Sequence, residues 1–216
     1  MNLTPAALEQ IATRTLAHYE GRAEAFRDGT RDHDVSQNIA ALLQYIEAPP
    51  PFAVLDFGCG PGRDLKTFKK LGHRATGLEG AARFAAMARA DSGCEVLQQN
   101  FLQLHLPDAH FDGVYANATL FHVPSQELPR VLTQLRATLK PGGVLFSSNP
   151  RADEQRGHEG WSGDRYSAYH DWPAWQGYLL AAGFVELSHY YRPAGLPRVQ
   201  QPWLASVWRR PACGGM

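Results

Sequence analysis

The sequence predicts an α/β fold built on a doubly wound, mostly parallel sheet with helices on both faces. Apolar runs of strand length alternate with helical segments between residues 52 and 146, which is typical of βαβ units. A glycine-rich turn at 58–62 follows the first apolar run and opens a helix. The last two predicted strands, 184–190 and 204–208, have no helix between them. We therefore expect an antiparallel C-terminal strand, because a parallel pair needs a long crossover.

Two helices precede this alternation. Residues 3–27 are rich in Ala, Leu, Glu and Arg and reach a turn signal at 28–30, so they predict one helix. A second helix is predicted to begin near Ser36 as its N-cap and to end at the proline run 49–51. We assign residues 1–34 to a helical segment that lies outside the sheet.

The strands and helices of the sheet then follow in turn. The apolar runs predicted as strands are 52–57, 75–78, 95–97, 111–116 and 144–146. The helices predicted between them are 63–71, 81–90 and 125–139, and the last of these has a clear apolar face. A helix over 171–182 and strands over 184–190 and 204–208 complete the prediction.

The stretch 150–170 shows no clear period and is dense in aromatic residues. A long irregular stretch in a compact domain is usually either functional or disordered, and the aromatic content here favours function. We therefore predict that this segment contributes to a substrate site.

Length and composition exclude several classes of protein. With 216 residues, we expect a single domain over 1–216. Lys+Arg and Asp+Glu are 21 each, so the net charge is zero and a strong nucleic-acid footprint is excluded. We find neither a membrane-spanning run nor a signal peptide in the sequence. The three cysteines, Cys59, Cys94 and Cys213, cannot all pair, so the expected location is the cytoplasm.

The glycine-rich turn carries the strongest chemical signal. Residues 54–62 read VLDFGCGPG, with the carboxylate of Asp56 at the end of the predicted strand. The dinucleotide fingerprint G-x-G-x-x-G would place its third glycine at Arg63, whereas Gly62 comes one residue early. A carboxylate here would repel a pyrophosphate but could receive an ammonium group. A zwitterionic amino-acid end is therefore favoured over a nicotinamide cofactor.

This motif resembles the glycine motif of the class I S-adenosylmethionine-dependent methyltransferases. The resemblance covers roughly residues 35–150 through motifs and the remainder through strand order. It implies a Rossmann-like sheet, S-adenosylmethionine as cofactor and S-adenosylhomocysteine as product. In that family the glycine loop wraps the methionine part of the cofactor. The resemblance assigns this role to Asp56, Gly58, Cys59, Gly60, Gly62 and Arg63.

The ends of the next strands supply the remaining cofactor contacts. The resemblance assigns Glu79, followed by Gly80, to the ribose hydroxyls. Asn100 stands where related enzymes commonly have an Asp that accepts from the adenine amino group, and an Asn carbonyl can also accept. Phe101 either stacks near adenine or belongs to the core. Asn117 ends the fourth strand, where ligands of open α/β sheets bind.

The methyl acceptor is predicted to be a small polar molecule that is methylated on N, S or O. His122 either removes a proton from it or only braces its loop. The resemblance implies that residues 1–34 close over the cofactor. The residues predicted to bind the acceptor are Tyr19, His33, His122, Asn149, Arg151, Trp161 and Tyr166. The nine histidines show no tight metal-ligand spacing, so no metal is expected.

The expected partners are accordingly a small-molecule acceptor, no nucleic acid and no membrane, in a monomer or a homodimer. A nucleic-acid methyltransferase is disfavoured further because residues 117–120 read NATL rather than an N-P-P-Y-like run. Two alternatives stay open at this point. One is a non-catalytic S-adenosylmethionine-binding protein, and the other is a methyltransferase that acts on a protein side chain.

Overall fold

A computed structural model describes residues 2–152 and 158–212. Its main sheet has seven strands in the order β3-β2-β1-β4-β5-β9-β8. These strands are β1 Ala53–Phe57, β2 Arg74–Glu79, β3 Glu95–Gln98, β4 Phe111–Asn117, β5 Leu139–Pro150, β8 Val185–Arg192 and β9 Trp203–Arg209. The first five pair in parallel, and β9 runs antiparallel to both β5 and β8. The predicted sheet with its antiparallel C-terminal strand is therefore confirmed.

Helices cover both faces of this sheet, as predicted. They are α1 Pro5–Glu20, α2 Ala23–Thr30, α3 Ser36–Leu43, α4 Arg63–Lys70, α5 Ala82–Ser92, α6 Leu128–Thr138 and α7 Trp172–Ala181. Leu42 of α3 and Phe68 of α4 pack with Val54 on one face, and Leu132 of α6 packs with Leu55 on the other. All five residues of β1 are buried, which explains why this strand reads as a continuous apolar run.

The N-terminal segment differs from the single predicted helix. The chain turns at Gly21, whose backbone N–H caps α1 by donating to the carbonyl of Ala17, and α2 then begins at Ala23. Glycine disfavours a helix interior by about 1 kcal/mol relative to alanine, so a break here is inexpensive.

The stretch 150–170 was predicted to be irregular, and this prediction is wrong for its second half. Strands β6 Glu159–Ser162 and β7 Arg165–Ala168 form an antiparallel hairpin that is separate from the main sheet. Four-residue strands are too short to show a period of two, and Gly160 weakens the strand signal further. Residues 153–157 of this stretch, like Cys213, lie outside the described residues.

The fold gathers the loops that follow β1, β2, β3, β4 and β5 at one edge of the sheet. In open α/β sheets this carboxyl edge is where ligands bind. No helix within the described ranges is long and apolar enough to cross a membrane.

Candidate functional site

A cavity of about 650 Å³ opens at the carboxyl edge of the sheet. Helices α1 and α2 form its roof, contributing Leu16, Tyr19 and Phe26. The residues predicted to bind a cofactor that line it are Gly58, Cys59, Gly60, Arg63, Glu79, Gly80, Asn100, Phe101 and Asn117. The predicted acceptor residues that line it are Tyr19, His33 and His122. The structure thus brings twelve predicted site residues to one cavity, whose size suits an organic ligand.

The glycines of the loop between β1 and α4 are required by its shape. Gly58 has φ +77°, and a Cβ added there would lie 2.3 Å from Cγ2 of Thr119. Gly62 has φ +94°, and its Cβ would lie 2.7 Å from Cα of Ala88. Residues with a side chain rarely adopt such φ values, so the backbone requires glycine at both positions. Without side chains at 58 and 60, a ligand can approach the loop backbone closely.

Glu79 ends β2 and holds the glycine loop from the side. Its Oε2 accepts from the Gly60 amide at 2.9 Å, and its Oε1 accepts from the Ala81 amide at 2.8 Å. Burial raises the pKa of Glu79 to about 7, although these amides favour the ionised form. Each carboxylate oxygen keeps a lone pair for a further donor. We call residues 58–61 together with Glu79 the loop cradle.

Asp56 and Gly62 are the two predicted cofactor residues that do not line the cavity. Asp56 is 2% exposed and lies behind the loop, where burial and the neighbouring Asp64 raise its pKa well above the usual range. Its Oδ2 has no hydrogen-bond partner among the described residues. Gly62 contributes to the outer side of the loop. Asp64, in the first turn of the following helix, lines the cavity where Asp56 does not.

A chain of polar side chains joins Asp64 to Tyr190 of β8. Arg63 donates to both carboxylate oxygens of Asp64, at 2.6 and 3.0 Å. Asn117 donates to Asp64 at 3.4 Å and accepts from Asn38 at 3.0 Å, and Tyr190 donates to Asn38 at 3.1 Å. These contacts fix the carboxylate and amide groups that a zwitterionic ligand would meet.

Asn100 and Phe101 lie where the third strand ends. The side-chain carbonyl of Asn100 accepts from the Leu102 amide at 2.8 Å, which holds its own loop. The ring of Phe101 stacks on Phe57 with centroids 4.4 Å apart, so it belongs to the core as well as to the cavity wall.

The double role of Asn100 leads to a first prediction. Asn100→Asp keeps an acceptor for Leu102 and for an adenine amino group, so we expect cofactor affinity to stay within about 3-fold. Asn100→Leu removes both acceptors, and we expect affinity to fall roughly 3- to 10-fold, as for the loss of one neutral hydrogen bond. Calorimetric titration with S-adenosylhomocysteine measures both changes. Equal affinities for the two variants would remove Asn100 from the adenine site.

Tyr19 and His122 form a hydrogen-bonded pair in the cavity. The Tyr19 hydroxyl lies 2.7 Å from Nε2 of His122, and Nδ1 of His122 lies 2.8 Å from the backbone carbonyl of Tyr166. Because a carbonyl can only accept, Nδ1 carries the proton, and Nε2 then accepts from Tyr19. Burial lowers the pKa of His122 to about 4, so the ring is neutral at physiological pH.

The remaining predicted acceptor residues do not line the cavity. The side chain of Arg151 donates to the backbone carbonyls of Gln201, Ala152 and Arg198, so it clamps the loop before β9. Tyr166 turns its hydroxyl to Glu159 and offers only its backbone to the site. The ring of Trp161 is 41% exposed and lies under the Arg14 guanidinium. Asn149 is buried in the sheet, and its Oδ1 has no partner among the described residues.

Several side chains of the cavity were not predicted. Asp64, Asn38, Phe84, Arg192 and Trp203 all line the cavity. Asp64 stands two residues after the glycine motif, and this position was the one available signal. The others belong to elements whose facing side depends on how those elements pack.

The roof is also tied to the body of the protein at its outer side. The backbone N–H of Arg83 in α5 donates to the carboxylate of Glu20. The Arg83 side chain donates to the backbone carbonyl of Glu20 and to the carboxylate of Glu24. The Arg83 and Glu24 side chains are exposed, so their ion pair stabilises the docked roof by about 1 kcal/mol or less.

Comparison with known proteins agrees with this geometry. Residues 55–147 match the family described as "Methyltransferase domain". The chain is 35% identical over 129 residues to 24-methylenesterol C-methyltransferase 2 of Oryza sativa subsp. japonica, a match that covers 56% of this chain and 34% of that protein. The chain therefore spans about a third of the length of the first curated relatives it matches.

Solved structures share the fold. The 1,6-didemethyltoxoflavin-N1-methyltransferase of Burkholderia thailandensis, with 1,6-didemethyltoxoflavin and S-adenosylhomocysteine bound, has a TM-score of 0.77 and 23% identity over 98% of this chain and 93% of that chain. An S-adenosylmethionine-dependent methyltransferase from Mesorhizobium loti has a TM-score of 0.66 and 20% identity over 85% and 99% of the two chains. At these identities the likeness concerns the fold alone.

The glycine motif, the strand order and the family match meet on the same part of the chain. Residues 55–147 contain the loop between β1 and α4, Glu79 and the end of β4. The predicted resemblance to the class I S-adenosylmethionine-dependent methyltransferases is thereby confirmed: residues 55–147 match a methyltransferase domain, and the chain has the fold of such enzymes.

Proposed function

We propose that this protein binds S-adenosylmethionine in the cavity and transfers the methyl group, by in-line displacement, to an N, S or O atom of a small polar molecule. S-adenosylhomocysteine would be the second product. One observation carries the proposal: the loop cradle and the Tyr19–His122 pair line the same cavity. A cofactor and an acceptor that occupy this cavity together would therefore contact both the loop cradle and the Tyr19–His122 pair, which can take up a proton.

The residues present fit the cofactor. The two oxygens of Glu79 each hold one backbone amide and retain lone pairs, as a pair of ribose hydroxyls would require. The bare loop at Gly58 and Gly60 leaves room for the chain between ribose and amino acid. The carboxylate of Asp64 and the amide of Asn117 would meet the ammonium end.

The chemistry of the transfer requires little from the protein. When bound, S-adenosylmethionine supplies a sulfonium whose methyl carbon is already electrophilic. The chain's own residues have to orient the acceptor, exclude water and take up a proton. The roof helices would exclude water from the cavity, because Tyr19 and Phe26 cover it from the side opposite the sheet edge.

The Tyr19–His122 pair would take up the proton that the methyl acceptor loses. Tyr19 donates its own proton to Nε2, so its oxygen lone pairs can accept from an N–H, O–H or S–H of the acceptor. As the acceptor proton passes to the Tyr19 oxygen, the Tyr19 proton passes to Nε2. A base with a pKa of about 4 suffices for an oxygen or a sulfur that gains a methyl group, because the cationic product is strongly acidic.

The proposal places the protein among small-molecule methyltransferases. A protein side chain would have to reach Tyr19 beneath the roof, whereas a small molecule can be enclosed there. A non-catalytic protein would bind the cofactor without needing the Tyr19–His122 pair. We further propose that residues 1–34 and the rest of the chain act as one domain in the cytoplasm.

The test is transfer of a labelled methyl group. The protein is incubated with S-adenosylmethionine labelled in its methyl group and with a small-molecule extract, and products are separated by mass. We expect a labelled product below about 1 kDa, together with S-adenosylhomocysteine. Gly58→Val is the matched control, since its side chain would collide with Thr119 and block the loop. Label found only in protein would favour the protein-directed alternative. Cofactor binding without any transfer would favour the non-catalytic one.

A further inference from the structure

Arg165 is a cavity arginine that forms no ion pair with a described carboxylate. Three arginines line the cavity. Arg63 is paired with Asp64. Arg192 lies beside Asp34 and donates to its backbone carbonyl. Among residues 2–152 and 158–212, no ion pair is formed by Arg165.

The acidic groups nearest to Arg165 in the hairpin are engaged elsewhere. Asp164 pairs with Arg14 at 3.1 Å. Glu159 accepts from the Ser125 amide at 2.9 Å and from the Tyr166 hydroxyl at 3.0 Å. The hairpin therefore turns its carboxylates away from the cavity while Arg165 faces it.

The backbone beside Arg165 is held on two sides. The Tyr166 amide donates to the Thr15 hydroxyl at 3.1 Å, and the Tyr166 carbonyl accepts from His122 at 2.8 Å. Arg165 and Tyr19 line the same cavity, and the Arg165 charge lowers the pKa of the Tyr19 hydroxyl against the rise that burial causes. The guanidinium is thus positioned, before any ligand binds, next to the pair that we assign to the acceptor.

We propose that the methyl acceptor carries an oxyanion group, a carboxylate or a phosphate, which the Arg165 guanidinium binds beside Tyr19. This inference rests on the function proposed above. An arginine fork matches the two oxygens of either group, and charge-assisted hydrogen bonds of this kind are among the stronger ones in proteins. The acceptor would be oriented by its anion at Arg165, with its reacting atom toward Tyr19.

Binding of small probes tests the proposal without turnover. Because the cavity wall contains Phe26, Phe84 and Phe121, the probes carry one ring: benzoate, phenyl phosphate and the neutral benzamide. Each is titrated by calorimetry into the protein saturated with S-adenosylhomocysteine. We expect benzoate or phenyl phosphate to bind roughly 10-fold or more tightly than benzamide. The tighter of the two anions identifies the oxyanion as carboxylate or phosphate.

Two variants then assign the preference to Arg165. Arg165→Gln should reduce the anion preference roughly 10- to 100-fold and leave S-adenosylhomocysteine affinity unchanged, and Arg165→Lys should retain part of it. Arg14→Gln is the matched control. Arg14 of α1 contacts the same hairpin through Asp164 and Trp161 but does not line the cavity, so this substitution should leave the anion preference intact.

Three results would overturn the inference: equal binding of all probes, an unchanged preference in Arg165→Gln, or weaker S-adenosylhomocysteine binding in that variant. The last would assign the guanidinium to the cofactor. If methyl transfer to a small molecule is observed alongside any of these results, the proposed function stands and this inference alone fails.

Discussion

Tyr19→Phe is expected to lower kcat by about 10²- to 10⁴-fold, the range that general acid–base catalysis typically contributes. The substitution removes the oxygen that meets the acceptor proton and leaves the ring, which packs against Phe26 and Phe84. His122→Gln should cause a loss of similar size, because the two side chains act as one pair. The double variant should therefore be little worse than either single one.

The measurement is steady-state kinetics with the acceptor from the labelling experiment, together with cofactor titration and thermal unfolding. We expect cofactor affinity to change little, since both residues face the acceptor. His110→Gln is the matched control, because His110 is exposed and directly precedes β4, at the opposite end of that strand from the site. Parallel losses of turnover, cofactor affinity and melting temperature would show that the pair only braces its loop.

The pH dependence gives a second readout of this pair. His122 must be neutral to accept a proton, and its pKa is lowered to about 4 by burial. The neutral form is therefore fully present near pH 6 and above, and it is lost as the pH falls through about 4. We expect no decline of kcat from this group between pH 8 and pH 6. A kcat that titrates near the ordinary histidine value of about 6.5 would contradict the assignment.

Glu79→Ala is expected to weaken cofactor binding by about 1–3 kcal/mol, which corresponds to roughly 5- to 150-fold in Kd. The substitution removes the acceptor for the ribose hydroxyls and also frees the Gly60 and Ala81 amides. Glu79→Gln should fall between wild type and Glu79→Ala, because one oxygen acceptor remains. Calorimetry with S-adenosylhomocysteine measures all three proteins. Glu95→Gln is the matched control, since Glu95 is exposed at the start of β3.

The raised pKa of Glu79 also predicts how cofactor affinity depends on pH. The ionised carboxylate accepts better from hydroxyl groups than the protonated acid does, so cofactor binding should lower this pKa. Affinity should then increase as the pH rises toward and through about 7, and it should level off above that value. Glu79→Gln should abolish this dependence. A wild-type affinity that is constant from pH 5.5 to pH 8.5 would contradict a direct contact between Glu79 and the ribose.

Sequence patterns were sufficient for the parts of the site that depend on local backbone. Gly58 is set by a turn whose φ values exclude other residues, and Glu79 is set by its place at a strand end. Both could be predicted because a motif and an element boundary fix them. Asp56 belongs to the same motif, yet its carboxylate lies behind the loop and Asp64 reaches the cavity instead. The side of a loop to which a carboxylate turns depends on packing that spacing does not encode.

The acceptor side was harder to predict for a related reason. Tyr19 and His122 are 103 positions apart, and no spacing rule joins a roof helix to the turn after β4. Arg151 was predicted to bind the acceptor because a cation in an aromatic segment resembles a ligand site. In the fold its guanidinium instead donates hydrogen bonds to backbone carbonyls of a neighbouring loop. Aromatic and charged composition marks a segment as ordered, but tertiary contacts decide which of its side chains face a ligand.

The roof has a consequence for the order of events in a catalytic cycle. Tyr19 belongs to α1, whereas His122 belongs to the body, so the two meet only while α1 is docked. An undocked roof would open the cavity for exchange of product against fresh cofactor, but in that state the proton pair is broken. Exchange and chemistry are thus separated in time by one movement. Undocking would break the exposed contacts at Arg83 and would also uncover the apolar contacts of Ala23 with Ala81 and Phe84, so we expect the docked state to dominate between turnovers.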